Sequence, residues 1–313
     1  MSHSLRPMSI HAMIRRGLAG LRRYSGLWLS LYLVQFITAA LGTWIMTRIL
    51  AAELASNPVF DRAVDGDPAA LAFILGDNPG VFAATMAVGV GVAVGYALLS
   101  WYLVGGAVAV LLRQPGSGRD LRRCFGAGGA ETFFAYARLW LWSLIPYAIG
   151  IIALALGFYL GGKDLIESVT IADVLGQMLP PLIPAVVIFW LHLTAIDYAR
   201  IELSRRALAG EPLSALRALL GAYRAVLGDR RPLLHIAIYA GYFFAVSAVY
   251  VTLGQGAAMA GVIGAVAIFL IRQLVLALRF AADVVCTAGQ VALVGSRVSP
   301  APDSAPGSGM DEA

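Results

Sequence analysis

The stretch VIGAVAIFLIRQLVLALRFAADV, residues 262–284, decides the fold. It is longer than the roughly 20 apolar residues a helix needs to cross about 30 Å of hydrocarbon at 1.5 Å per residue. Only Arg272, Gln273, Arg279 and Asp283 interrupt it. Such a segment reads as a membrane span whose charged groups must turn away from lipid.

Five more runs of this kind precede it: Leu27 to Leu50, Val81 to Leu112, Thr132 to Leu160, Ile171 to Ile201 and Pro232 to Leu253. Composition points the same way. Of 313 residues 59% are hydrophobic and 13% charged, against about 25% charged in an average soluble domain. The predicted fold class is all-α: a polytopic membrane bundle of six transmembrane helices with interfacial amphipathic elbow helices. Residues 1–26 read as a cytoplasmic N-terminal segment carrying the first elbow, 27–297 as the six-helix transmembrane domain, and 298–313, rich in Pro, Ser, Gly and Ala, as a disordered cytoplasmic tail.

Arginine sets the predicted orientation, because basic residues near span ends stay in the cytoplasm. Arg15, Arg16, Arg22 and Arg23 precede the first span; Arg119, Arg122 and Arg123 follow the second; Arg205, Arg206, Arg217 and Arg224 follow the fourth. The intervening connections, Ala51 to Gly80 and Gly161 to Thr170, carry only Arg62 and Lys163 against several acids. Both termini are therefore expected inside, in a multi-pass protein of a bacterial inner (cytoplasmic) membrane. Lys163 is the only lysine, a bias that fits a GC-rich bacterial genome. The first span exceeds the 7–15 residues of a signal-peptide core, so it reads as an uncleaved signal anchor. The net charge of +5 is accounted for by topology and by anionic lipid on the inner leaflet, with no nucleic-acid partner implied.

The inner segments repeat a pattern. Ile10, Met13, Ile14, Leu18 and Leu21 recur at near-helical spacing among arginines, and Leu213, Leu216, Leu220, Tyr223 and Leu227 do so beside Arg217 and Arg224. Asp120 to Phe125 is a shorter version. Each precedes two spans, so the chain parses into three elbow-and-hairpin units, with the elbows expected in the membrane interface. In the first outer connection, Ala69 to Leu75 is expected as a short helix between turn signals.

No HExxH, GxSxG, Walker A or CxxC occurs, so no enzymatic activity, cofactor or metal site is expected. Cys124 and Cys286 read as unpaired thiols. His192 and Asp197, five residues apart, stand about 140° apart on a helix and do not share a face. For His192 an interhelical hydrogen bond is the favoured reading, and His235 is expected at the interface. Gly91 and Gly95 form a GxxxG in the second span, read first as packing within the monomer.

The intramembrane charges carry the functional information, since each costs about 2.5–3.5 kcal/mol at a helix centre. Arg138 and Asp197 lie at equal depth from the cytoplasm and are natural partners, with Arg200 one turn beyond. Arg272, Arg279, Asp283 and Gln290 fall on one stripe of the sixth span. Together these form a candidate polar cavity or interhelix network. Two arginines against one aspartate leave a positive surplus, which Asp197 would neutralise if it turned toward the sixth span.

Residues Ile196-Asp197-Tyr198-Ala199-Arg200-Ile201, followed by the Leu213 to Leu227 elbow and Arg231-Pro232, resemble uncharacterised bacterial six-span proteins similar in layout to the membrane domain of glycerophosphoryl diester phosphodiesterases and to Yip1-type proteins. The resemblance implies an integral membrane module without assigned chemistry. Spans and elbows occupy the chain, so none of a phosphodiesterase's catalytic domain is expected in it. Two functions stay open: a non-enzymatic membrane scaffold or accessory module with a membrane-protein partner, and a transporter or lipid-handling permease with a cytoplasm-facing cavity for an anionic group such as an anionic phospholipid.

Overall fold

The computed structural model describes residues 8–54, 59, 69–70, 73, 76, 79–116, 118–162, 171–255 and 261–295. Its helices are α1 (Ile10–Arg23), α2 (Ser25–Leu54), α3 (Pro79–Arg113), α4 (Gly118–Gly161), α5 (Ile171–Leu208), α6 (Ala215–Gly228), α7 (Arg230–Gln255) and α8 (Gly261–Gly295). No strand occurs among the described residues. Most of the first outer connection, the 163–170 connection and the 298–313 tail lie outside them; of the short helix expected from Ala69 to Leu75, Ala69, Ala70 and Phe73 are described, and all three are helical.

Five helices, α2, α3, α4, α5 and α7, are long and apolar enough to cross a membrane. Their large apolar side chains point outward: Leu41, Trp44, Ile145, Ile152, Leu156 and Phe244 are all exposed. Apolar surface on that scale needs lipid, not water, as its solvent. The remaining expected span, α8, is not among the five. Arg272, Arg279 and Asp283 interrupt its apolar run.

The buried core gathers at the arginine-rich end. Ala195, Ala199 and Leu203 of α5, Tyr136 and Leu139 of α4, Ala218 and Leu219 of α6, and Met13 of α1 form one cluster. Both elbows are covered in part by protein. Ser9 caps α1 by accepting from the Ala12 N–H at 3.2 Å. The helix then presses Met13 and Gly17 onto α8, where a Cβ on Gly17 would collide with the Val285 carbonyl. Ala215, Ala218, Leu219, Ala222 and Val226 of α6 are buried, while Leu216, Leu220 and Leu227 are exposed. Protein thus covers one set of α6 side chains, while leucines that the sequence places in the membrane interface stay exposed. The expected Asp120 to Phe125 elbow is the opening of α4, continuous with the span that follows.

A second close helix crossing lies where two glycine pairs meet. A Cβ on Gly129 of α4 would stand 2.7 Å from the Tyr102 carbonyl, and one on Gly106 of α3 2.6 Å from that of Phe125. Backbones approach this closely only without side chains between them. By contrast Gly91 and Gly95 have nothing within 4 Å of a Cβ, so the GxxxG does not pack inside the described bundle. Gly129→Val is expected to lower stability by about 1–3 kcal/mol, the usual cost of overpacking, whereas Gly91→Ala should leave it unchanged or slightly raised. Thermal melting of the purified protein in detergent distinguishes the two.

Candidate functional site

Asp197 and Arg200 are positioned by a clasp between α4 and α5. Tyr136, 2% exposed, donates from its hydroxyl to the Arg200 carbonyl at 3.1 Å and lies 2.9 Å from Ser204 Oγ. The α5 turn carrying Arg200 is thereby pinned to α4, and α5 presents Asp197 and Arg200 toward α8. Farther up α5, His192 Nδ1 lies 2.6 Å from the Tyr223 hydroxyl of α6. Burial pushes the Tyr223 phenol above its ordinary value. The phenol and the imidazole share one hydrogen bond, and the His192 Nε2 is buried without a partner among the described residues. This bond sets the elbow on the bundle and is separate from Asp197.

Arg138 and Asp197 do not form an ion pair. Asp197 pairs with Arg200 at 3.4 Å, one turn along its own helix, and Arg138 is exposed on α4. Equal depth is a statement about the helix axis only; the direction each side chain takes around that axis separates them. An exposed arginine near a span's end reaches naturally toward the interface.

α8 carries the rest of the predicted stripe, and its members divide. Arg272 lies over the Tyr250 ring at 4.9 Å and Arg279 over Phe243 at 4.7 Å, both rings belonging to α7. Each guanidinium gains an aromatic face in place of water. The Arg272 Nε is buried without a hydrogen-bond partner. Arg279, Asp283 and Gln290, in contrast, line open space.

That space is three neighbouring cavities beside α8, successive ones sharing wall residues. The first, about 470 Å³, is apolar, walled by Phe36, Ala39, Ala40 and Trp44 of α2 and by Phe269 and Phe280 of α8. Gln35 and Phe280 also border the second, about 230 Å³, which adds Tyr96 and Ser100 of α3 and Arg279 and Asp283. Val104, Val108, Asp283 and Thr287 are shared with the third, also about 230 Å³, where Asp197, Arg200 and Gln290 enter. The structure thus brings Asp197, Arg200, Arg279, Asp283 and Gln290 to one crevice, and leaves Arg138 and Arg272 outside it.

Uncharged groups brace its walls. Tyr32 donates to Gln273 Oε1 at 3.0 Å and Tyr96 to Gln35 Oε1 at 2.6 Å, tying α2 to α8 and to α3. Sequence reasoning passed over Gln35, Tyr96, Ser100 and Thr287. Their one signal is a polar group inside an apolar run, and serines, threonines and tyrosines are common there. His235, expected at the interface, is fully buried. Its Nδ1 lies 3.9 Å from Cys286 Sγ, and Gly289 leaves room for the ring. Cys124 and Cys286 are both free thiols, and no cluster of three or more metal-ligating side chains occurs among the described residues.

Comparison with known protein families, characterised proteins and solved structures finds no match to this chain. The geometry alone supplies the chemistry. Asp197→Ala and Arg200→Ala are expected to be non-additive in a double-mutant cycle of unfolding stability, because each removes the other's partner. Asp197→Ala combined with Arg138→Leu should instead add to within about 0.5 kcal/mol.

Proposed function

We propose that this chain is a six-span integral protein of the bacterial inner membrane, both termini cytoplasmic, that acts as a lipid-handling permease by holding a phospholipid along α8, without catalytic chemistry of its own. The observation that carries this reading is the length and polarity of the crevice. From Phe269 to Gln290, α8 rises about 32 Å, comparable to the roughly 30 Å hydrocarbon core. The crevice beside it is apolar at one end and charged at the other. An acyl chain with a polar headgroup has the same gradient. The charged end coincides with the arginine-rich end of the bundle, which the positive-inside rule puts in the cytoplasm. In this arrangement α8 is the sixth span, its stripe turned to the crevice and not to bulk lipid.

A scaffold or accessory module is the second reading, and Gly91 and Gly95 favour it. Both are exposed on α3, where small residues let the span of a partner approach closely.

Native mass spectrometry of the purified protein should show retained phospholipid. Ala40→Trp, which fills the apolar cavity, should reduce that retention while the protein still melts cooperatively. Equal retention in the variant and the wild type would place the lipid elsewhere and favour the scaffold. The topology has its own check in a background free of Cys124 and Cys286: a cysteine at Asp65 should react with an impermeant reagent added outside, and one at Ser214 should not. The reverse pattern would invert the orientation.

A further inference from the structure

A pocket apart from the crevice lies where the C-terminal ends of α5 and α8 meet the elbow α6. Its volume is about 300 Å³, at the lower bound of small-molecule sites, which run from about 300 to 1,000 Å³. It shares no wall residue with the three cavities along α8. Helical period puts Glu202, Arg205 and Arg206 on one face of α5, and all three line the pocket. Glu202 fixes both guanidinium groups: it accepts from Arg205 Nε and Nη2 at 2.9 and 3.0 Å and from Arg206 Nε at 2.7 Å. Arg206, held only through Nε, keeps its two Nη atoms unengaged among the described residues. From α6, Arg217 lines the same pocket, and its guanidinium has no ion pair among the described residues.

Three arginines against one glutamate leave a surplus of two positive charges on the pocket wall. Glu211 offsets part of it from outside, 3.9 Å from Arg205 Nη1. The positive-inside rule asks for arginines at this end of the bundle. It does not ask for open volume between arginines of two helices. Small residues provide that volume: Ala218, Ala222 and Ala225 line the α6 side, and a Cβ on Gly221 would meet nothing within 4 Å.

We propose that this pocket binds a phosphate monoester, its oxygens on the Nη atoms of Arg206 and on the guanidinium of Arg217. A monoester carries about −1.5 to −2 charge at pH 7 and three strong acceptor oxygens, which matches both the surplus charge and the two unengaged sets of donors. A phosphodiester carries a single charge and leaves one guanidinium uncompensated. Guanidinium and phosphate meet in charge-assisted, bidentate hydrogen bonds, so the site discriminates by charge and by geometry together. The monoester has two sources at this boundary: a lipid headgroup, as in phosphatidic acid, or a soluble phosphate. Because the pocket and the crevice share no wall, failure of the phospholipid reading for the crevice leaves this site standing.

The test uses the full-length protein in detergent and has two arms: calorimetric titration with glycerol 3-phosphate, and competition between dioleoyl phosphatidic acid and dioleoyl phosphatidylglycerol by native mass spectrometry. Phosphatidic acid retained over phosphatidylglycerol by about tenfold, with no heat from glycerol 3-phosphate, assigns the site to a lipid monoester. Saturable binding of glycerol 3-phosphate assigns it to a soluble one. In either arm Arg206→Gln and Arg217→Gln should each weaken the monoester by about tenfold. Gly221→Leu, which fills the pocket and leaves every charge in place, should do the same with its melting temperature unchanged or raised. Ala40→Trp in the apolar cavity should leave monoester binding as in the wild type. A wild type that shows neither the lipid preference nor glycerol 3-phosphate binding would overturn the proposal, and so would monoester binding that survives Gly221→Leu.

Discussion

Hydrocarbon offers no hydrogen bonds, so a helix with two arginines and an aspartate in its apolar run can stay there only if protein or a wet cavity surrounds those groups. The arrangement around α8 follows from this demand. α7 brings Tyr250 and Phe243 to cover the two guanidinium groups. α2 and α3 supply the phenols and amides of Tyr32, Gln35 and Tyr96, and α5 turns Asp197 and Arg200 toward the same space. α1 closes the end of α8 around Val285 and Ala288. What the polar groups lack in solvent, neighbouring helices replace.

The bundle is not packed evenly in answering that demand. Glycine pairs let α3 and α4 meet backbone to backbone, Gly157 lets α4 approach the Pro181 carbonyl of α5 in the same way, and Gly150 makes room for the Phe189 ring. On the other side, α2 and α8 are joined by a phenol–amide bond across an apolar gap. A polar contact between membrane helices contributes only about 0.6 kcal/mol on average. The well-packed side holds Asp197 and Arg200 at fixed positions. The loosely joined side leaves the largest of the three cavities between α2 and α8.

Much of the site was legible from depth and period, and the rest depended on rotation. Arg279, Asp283 and Gln290 fall on one stripe by simple helical spacing, and they share the crevice. Arg138 and Asp197 were matched by distance from the cytoplasm, but Asp197 already has Arg200 on its own helix and Arg138 is exposed on α4. The Gly91-Gly95 pattern drew notice because it is a known motif, while the pairs Gly105-Gly106 and Gly128-Gly129 make the real crossing. Two adjacent glycines in each of two successive helices were the readable signal. Gln35 and Gln273 were equally visible in sequence, and their roles depend on phenols from distant spans that no local pattern joins to them.

The docking of α1 on α8 has a consequence for how the chain is made. The surface that buries Gly17 belongs to α8, which follows α1 by about 240 residues. At about 5–20 residues per second, roughly 15–50 seconds separate the synthesis of the two. Until Val285 and Ala288 arrive, the α1 face around Gly17 and Gly20 lacks its cover, and the bilayer surface is the nearest place to shelter it. The amphipathic pattern of α1 then serves two states in succession: a nascent chain whose first helix rests on lipid, and a finished bundle in which that helix seals the end of the last.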